Sequence, residues 1–318
     1  MSIHVSRLHS ILRSRLLLRA GVLIAFASIL ISCTDRRDTI VVGSKNFTEQ
    51  AIIGELIAQH LESQTHLHVQ RRFYLSGSYI CQQALLAGRI DLYVEYTGTA
   101  LAAILKEPLP SESSNPGDSA KSSREVVFDR VRTDYARKFN LEVKPSLGFN
   151  NTFAIVIRGE DARAFGLKTL SQLDAQGLHW RAGFGYEFME RADGFPGLAK
   201  TYNLHFAAAP RIMDLGLLYR ALLDHQVDVV AGNSTDGLLS ARDLVILDDD
   251  KHYFPPYDAV PVVRPAALQA HPEVRAALAQ LSGKISDHEM QQMNYAVDGQ
   301  HQDITDVAHN FLHSKGLD

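Results

Sequence analysis

The chain alternates short apolar runs with longer segments in which apolar side chains recur at helical spacing. Residues 39–43 predict a β-strand, and the helix predicted after them presents an apolar face at Ile53, Leu56 and Leu61. The same order of strand and helix recurs along the chain. Repeated strand–helix–strand units predict an α/β protein with largely parallel sheets and helices on both faces of each sheet.

Polar residues near the predicted helix ends support this assignment. Asn46 and Glu49 have the spacing of a helix start, and Ser286 and Glu289 have capping-box spacing before the C-terminal helices. Gly88 is placed to end a helix in the left-handed conformation. The order of elements therefore follows from local signals.

Two sets of strands are predicted, and they are separated near Pro145. We expect residues 39–146 together with 252–318 to form a first lobe, and residues 147–251 to form a second. Two α/β lobes joined by crossing strands would place a ligand cleft between them, beyond the carboxyl ends of the strands. The proline- and serine-rich stretch 107–124 predicts an exposed loop.

The N-terminus has the pattern of an export signal. Residues 1–32 contain four arginines and no acidic residue, and a short apolar run precedes Ser32-Cys33. Leu30-Ile31-Ser32-Cys33 resembles a bacterial lipobox, which implies cleavage before Cys33, lipidation of that cysteine and a short tether over residues 33–38. The protein would then be lipid-anchored at the cell envelope, on the extracytoplasmic side. The alternative is a plain amphipathic anchor with a chance cysteine.

Composition excludes several other classes of protein. The 318 residues carry a formal net charge of −4, which gives no basic footprint for nucleic acid. Two cysteines are too few for a disulfide framework or a four-cysteine zinc site, and we expect Cys81 to be buried. His66 and His68 have no third metal ligand nearby and are interpreted as exposed polar residues. No cofactor motif is present.

Several polar or aromatic residues follow predicted strands, at the end where open α/β sheets bind ligands. They are Lys45, Tyr96, Thr99, Arg191 and Tyr257. Taken singly, each has a simpler interpretation as a solvated charge or a ring that covers a loop. Spacing alone does not decide between the two interpretations.

Five segments in order along the chain carry a family resemblance: Gly43–Gln50, Asp91–Thr99, Gly148–Thr152, Ser234–Gly237 and Phe254–Asp258. They resemble the quaternary-amine substrate-binding proteins of osmoprotectant ABC importers. The resemblance implies a type II periplasmic-binding-protein (Venus-flytrap) fold. It further implies a monomer that captures glycine betaine, choline, carnitine or a related betaine and delivers it to permease and ATPase subunits.

The resemblance also implies roles for individual residues. Tyr96 and Tyr257 would be walls of an aromatic cage, while Lys45, Thr99 and Arg191 would hold an anionic tail. A further ligand contact, Asn151, lies in the third segment. A quaternary ammonium has no N–H to donate, so aromatic faces are suited to select it, at about 0.5–2 kcal/mol each.

Two positions depart from the family pattern. Phe153 stands where the family often has tyrosine, and Asn233 stands where another tyrosine is expected. Both are retained as ligand contacts. Asparagine has no aromatic face, so the cage would be open on that side or closed by another ring such as Tyr186 or Phe184. A bulkier trimethylammonium compound, such as a histidine betaine, could form a hydrogen bond with Asn233.

Two other functional classes suit the same fold. One is a small hydro-lyase in which Glu95 or His252 acts as acid or base. The other is a sensory ligand-binding protein that docks on a receptor. The sequence pairs no catalytic groups, so binding without catalysis is the leading hypothesis.

Overall fold

In the computed structural model, the described strands form two five-stranded sheets with the orders β2-β1-β3-β10-β4 and β7-β6-β8-β5-β9. The strands are β1 (Thr39–Gly43), β2 (His68–Arg72), β3 (Leu92–Tyr96), β4 (Glu142–Val143), β5 (Phe153–Arg158), β6 (Ala182–Phe184), β7 (Arg211–Ile212), β8 (Val229–Asn233), β9 (Leu244–Ile246) and β10 (Ala259–Val263). We call these the first sheet and the second sheet.

Helices surround the sheets. They are α1 (Thr48–Gln64), α2 (Ser78–Leu86), α3 (Thr97–Thr99), α4 (Ser123–Phe139), α5 (Gly159–Phe165), α6 (Leu170–Gln176), α7 (Tyr186–Glu190), α8 (Phe195–Tyr202), α9 (Leu215–Leu223), α10 (Leu238–Ala241), α11 (Pro265–Ala270), α12 (Glu273–Leu281), α13 (Asp287–Asp298) and α14 (Ile304–Lys315). A π-helix over Ala100–Ile104 follows α3 directly.

The structure describes residues 38–108, 122–176 and 179–318. The chain divides into a unit that ends at Thr39, of which only residues 38 and 39 are described, and a second unit from Ile40 to Asp318. Cys33, the predicted export signal and residues 109–121 of the predicted loop lie outside the described residues. Within the described ranges, every helix is too short or too polar to cross a membrane.

The prediction of largely parallel sheets is wrong, because both sheets are mixed. β1 and β3 are parallel, as are β6 and β8. However, β10 runs antiparallel to β3 and β4, and β5 runs antiparallel to β8 and β9. β5 is the first strand after the chain leaves the first sheet, and β10 is the strand on which it returns. These strands are not tied to their neighbours by strand–helix–strand crossovers, so nothing constrains them to be parallel.

The two crossing segments lie side by side between the sheets. Asn150 and Asp258 form an isolated antiparallel bridge. The backbone N–H of Asn151 donates to the Tyr257 carbonyl at 3.0 Å, and the Tyr257 N–H donates to Asn150 Oδ1 at 2.6 Å. Asn151 and Tyr257 are therefore held at the junction of the sheets.

Each sheet is packed on both faces by apolar side chains. Ile53 and Leu312 lie in the core on one face of the first sheet, and Cys81 lies in the core on the other. Ile155 and Val156 belong to the two cores of the second sheet. The predicted burial of Cys81 is confirmed, and this burial raises the pKa of its thiol to about 12.

The helix-end predictions have mixed outcomes. The Ser286–Glu289 capping box is confirmed, and Gly88 has a φ of +67° just after α2. The predicted start of α1 is wrong, because Phe47 occupies the N-cap position and no side chain caps the helix. Glu49 is buried in the first turn of α1, where its carboxylate binds residues from distant parts of the chain.

Candidate functional site

Predicted ligand residues from the first sheet meet at one edge of that sheet. Tyr96 is the last residue of β3, Thr99 ends α3, and Tyr257 lies two residues before β10. Because β10 is antiparallel to β3, the start of β10 lies beside the end of β3, and Ala259 pairs with Tyr96. The Tyr257 ring packs on Gly98, where a Cβ would lie 2.6 Å from Tyr257 Cε1. Glycine at position 98 therefore permits this close approach.

Residues of the second sheet lie against the same edge. Phe153 begins β5 and pairs directly with Asn233, the last residue of β8. The Phe153 ring centroid is 5.8 Å from that of Tyr257 and 4.9 Å from Arg191 Cζ. The structure thus brings Tyr257, Phe153 and Arg191 into contact from both sheets.

Arg191 is largely buried beside a carboxylate partner, with 11% of its side chain exposed. Its Nε donates to Asp193 Oδ1 at 2.9 Å, its Nη2 donates to Asp193 Oδ2 and, at 2.9 Å, to Thr99 Oγ1. Tyr257 donates its hydroxyl to Asp193 Oδ2 at 2.7 Å. Burial is the largest single influence on Arg191 and would lower its pKa. The hydrogen bond and the charge of Asp193, together with the nearby Tyr257 and Glu187, outweigh burial and raise the pKa, so the guanidinium stays charged.

Lys45 is also buried and paired. Its ammonium forms an ion pair with Glu95 and lies 4.6 Å from the centroid of the Tyr96 ring. Tyr93 donates its hydroxyl to Glu95 Oε2 at 3.3 Å. Glu95, the acid or base of the hydro-lyase alternative, is therefore fully buried, and its carboxylate is paired with Lys45.

Glu49 is a central residue that the sequence reasoning missed. Its Oε1 accepts from the Tyr96 hydroxyl and, at 2.8 Å, from Asn151 Nδ2. Its Oε2 accepts from the Thr235 hydroxyl and, at 3.0 Å, from Asn294 Nδ2. Burial raises the pKa of Glu49, while the four donors act in the opposite direction. Glu49 therefore ties the ends of β3 and β8 to the crossing segment at Asn151.

Gln50, next to Glu49, is a second residue that sequence reasoning passed over. It is 1% exposed, and neither atom of its side-chain amide has a hydrogen-bond partner of normal geometry, although the amide lies near the Tyr96 hydroxyl. Unpartnered buried amides are costly, so the Gln50 amide is a candidate contact for a polar group at this site. Its only sequence signal was its place in the Gly43–Gln50 segment.

The two rings predicted as alternative cage walls have different surroundings. Phe184 is buried in the core of the second sheet, where its ring centroid is 5.0 Å from that of Phe188, and Tyr186 is 68% exposed. The ring that does approach Phe153 from the returning segment is Phe254, at a centroid distance of 5.9 Å.

A further contact joins the two sheets away from the rings. The backbone N–H of Ser78, the first residue of α2, donates to Glu187 Oε1 at 2.8 Å. Gly77 permits this contact, because a Cβ there would lie 2.0 Å from the same oxygen.

Among the described residues, no cluster of three histidine, cysteine or acidic side chains could hold a metal ion.

Asp236 follows β8 and accepts hydrogen bonds from Asn233, the last residue of that strand. Asp236 Oδ2 accepts from the Tyr219 hydroxyl at 2.6 Å and from the Asn233 N–H at 2.7 Å, and Oδ1 accepts from Asn233 Nδ2 at 3.3 Å. Burial is the largest influence on the Asp236 carboxyl and raises its pKa to about 6.

This raised pKa predicts a pH dependence of stability. Between pH of about 4 and 6 the folded protein binds a proton at Asp236 that the unfolded chain has released, so the stabilisation from this group is present at low pH and lost as the pH rises through 6. We therefore expect the unfolding free energy of wild type, compared with that of Asp236→Asn, to fall as the pH rises from about 4 to 6. Urea denaturation at several pH values measures the difference, and a difference independent of pH would contradict the prediction.

Comparison with known proteins assigns this arrangement to a family. Residues 38–314 match the OpuAC family, described as the substrate binding domain of ABC-type glycine betaine transport system. The chain is 35% identical over 279 residues to the ergothioneine transport permease/ergothioneine binding protein EgtU of Helicobacter pylori (strain G27), which covers 87% of this chain and 48% of that protein. The chain thus spans about half the length of this relative.

Two other proteins are similar over most of their length. The carnitine transport binding protein OpuCC of Listeria monocytogenes serotype 1/2a (strain 10403S) is 34% identical over 278 residues, which covers 87% of this chain and 86% of that protein. A crystal structure described as a glycine betaine/carnitine/choline ABC transporter has a TM-score of 0.70 and 33% identity, and covers 87% of this chain and 99% of that chain. The predicted two-lobed periplasmic-binding-protein fold is confirmed. The chain belongs to the family of substrate-binding domains of ABC-type glycine betaine transport systems.

Proposed function

We propose that this protein is the extracytoplasmic solute-binding component of an ABC importer, and that it captures a quaternary-ammonium solute and delivers it to the membrane permease. Its two lobes would be residues 39–146 with 252–318, and residues 147–251. The observation that carries the proposal is the contact of Tyr257 with Phe153 and of Thr99 with Arg191, since each pair joins the two sheets. Both relatives described above are named for quaternary amines, ergothioneine and carnitine.

In this proposal the cationic head is held by ring faces. Tyr96, Tyr257 and Phe153 would be the walls. The Lys45 ammonium lies 4.6 Å from the Tyr96 ring centroid, a distance at which a cation is attracted to a ring face. A diffuse cation without N–H groups is attracted to such faces and cannot be selected by hydrogen bonds. Micromolar affinity requires about 8 kcal/mol, so burial and tail contacts supply the remainder.

The tail of the solute would be held by the polar residues at the same edge. Arg191 binds Asp193 through Nε and Nη2, and its remaining nitrogen, Nη1, lies 3.6 Å from Glu187 Oε2. We assign the tail to Arg191 and Thr99, with the unpartnered amide of Gln50 and the side chain of Asn151 as further contacts. Lys45 is paired with Glu95 and would attract the anionic tail electrostatically, without direct contact.

The family and the proposed anchor support delivery of the solute to a permease. A lipid on Cys33 would hold the protein, as a monomer, at the membrane where the permease and its ATPase subunits act. A sensory protein would use the same site with a receptor as its partner, so a permease gene beside this one would favour the importer.

The proposed function is tested by isothermal titration of the purified protein with glycine betaine, choline, carnitine, proline betaine and ergothioneine. At least one of these is expected to bind at micromolar or lower concentration. Absence of binding by all five, with the protein folded by circular dichroism, would overturn the proposal.

Replacing Phe153 with leucine tests the aromatic wall. Leucine keeps an apolar side chain but removes the ring face, and Phe153 has no hydroxyl whose loss would confuse the result. We expect the dissociation constant of the bound quaternary amine to rise about 3- to 30-fold. The matched control is Phe165→Leu, which removes an exposed ring that packs on Trp180 and should leave binding unchanged. Equal affinity in Phe153→Leu and wild type would contradict the role of the ring.

A further inference from the structure

We propose that Asn233, oriented by Asp236, makes this site select quaternary amines that also carry a hydrogen-bond donor over those that carry none. The inference rests on the proposed function and deepens it. Asn233 stands where an aromatic wall would otherwise be expected. An amide offers a directional hydrogen bond in place of the non-directional attraction between a ring face and a cation.

The position of Asn233 follows from strand register. It is the direct antiparallel partner of Phe153, and directly opposed residues place their side chains next to each other on one face of a sheet. The Phe153 ring on that face contacts Tyr257 and Arg191. Asn233 therefore lies beside a proposed wall of the cage, and it is half-buried.

The orientation of the Asn233 amide follows from Asp236. An ionised carboxylate can only accept hydrogen bonds, so the amide group that faces it must be the NH₂ group. This agrees with the 3.3 Å contact between Asn233 Nδ2 and Asp236 Oδ1. The carbonyl Oδ1 of Asn233 is then turned away from Asp236. No described residue donates a hydrogen bond to this oxygen.

Asp236 itself is held in place by its surroundings. Its second oxygen accepts from the Tyr219 hydroxyl and from the Asn233 backbone N–H. Gly232 lets these groups approach β8, because a Cβ at that position would lie 2.1 Å from the Tyr219 hydroxyl oxygen and 2.8 Å from Asp236 Oδ2. The carboxylate is thus fixed by three donors and by close packing, and the amide cannot rotate without losing a bond.

The chemical consequence is an acceptor of fixed position beside the cationic head. A trimethylammonium group cannot satisfy it, and glycine betaine carries no donor at any position. A solute that buries the Asn233 oxygen without a donor leaves it unpaired, which costs affinity, whereas a hydroxyl or ring N–H forms a bond. The favoured substrates are therefore hydroxylated or ring-bearing betaines.

The experiment uses pairs of solutes that differ in the donor alone. Carnitine and γ-butyrobetaine share the trimethylammonium and carboxylate groups and differ by one hydroxyl. Choline and its O-methyl ether differ in the same sense. By isothermal titration at pH 7.5, where Asp236 is ionised, we expect the donor-bearing member of at least one pair to bind about tenfold more tightly. Ergothioneine, which carries a ring N–H, serves as the third class of donor.

Three variants assign the preference to these residues. Asn233→Leu, which removes the acceptor at similar size, should reduce the affinity ratio within the pair to about one, mainly by weakening the donor-bearing member. Asp236→Asn should also reduce the ratio, since an amide can donate as well as accept and no longer fixes Asn233. Tyr219→Phe removes one donor to Asp236 and should keep the ratio. Thermal unfolding checks that each variant folds.

The outcomes separate this inference from the proposed function. Equal affinities within every pair for wild type would overturn the inference and leave the proposed function intact, as would a preference that persists in Asn233→Leu. Failure of all solutes to bind would overturn the proposed function and the inference with it. If Asp236→Asn does not fold, the wild-type ratio and Asn233→Leu still decide.

Discussion

The variant Asp193→Ala is expected to lose about 3–5 kcal/mol of unfolding free energy, because it leaves the largely buried guanidinium of Arg191 without its carboxylate. Asp193 is fully buried and accepts from both Arg191 and the Tyr257 hydroxyl. A single alanine thus removes the closest acidic partner of Arg191 and the acceptor of the Tyr257 hydroxyl, and it leaves the guanidinium with Thr99 and, at 3.6 Å, with Glu187. Urea denaturation at neutral pH measures the loss. Solute binding should weaken as well, since Asp193 holds Tyr257 and Arg191 in place.

The matched control is the same pair of residue types on the surface. Arg163 and Asp243 form a two-point contact at 2.9 and 2.6 Å, with side chains 66% and 63% exposed. Water replaces the lost partner there, so Asp243→Ala should cost far less unfolding free energy than Asp193→Ala. Similar losses in the two variants would show that burial of the Arg191–Asp193 pair is not what stabilises the site.

The second large effect is expected at Glu49. In Glu49→Ala, the four side chains that donate to the carboxylate lose their acceptor in the interior, and each unsatisfied donor costs about 1–3 kcal/mol. We expect a loss of about 4 kcal/mol or more in unfolding free energy. Glu49→Gln should lie between wild type and alanine, because an amide oxygen can still accept while its NH₂ group faces donors.

Glu62→Ala is the control for Glu49. Glu62 lies on the same helix, near its C-terminal end, and pairs with Arg71 where both side chains are about one-third exposed. A loss below about 1 kcal/mol is expected there. Denaturation curves of Glu49→Ala and Glu62→Ala that coincide would refute the central role assigned to Glu49.

The periodicity of the chain determined where most elements lie. Apolar alternation and helical spacing placed β1, α1 and β3, and the positive φ of Gly88 and the Ser286–Glu289 box were predictable because both depend on neighbours in sequence. The segments that carry the family resemblance are short and continuous in sequence, so Tyr96 and Tyr257 could be proposed from them without the structure.

Strand direction required the tertiary structure. Apolar runs such as those of β5 and β10 look alike whichever way their neighbours run, so the sequence predicted parallel sheets where the structure has mixed ones. Direction depends on how the chain enters a sheet. That depends on the crossing segments and not on the residues within the strand.

The chemistry of the site was decided at the same level. Local spacing gave Glu49 the role of a helix-capping residue, but its carboxylate accepts from residues 47, 102, 186 and 245 positions away. Arg191 and Lys45 looked free to bind a tail, and each is paired with a carboxylate inside the fold. By itself the sequence determined the order of elements and the family of the chain, because these depend on local patterns. The tertiary structure decided which charges are neutralised and which polar atoms face a ligand, because those depend on partners brought together only by folding.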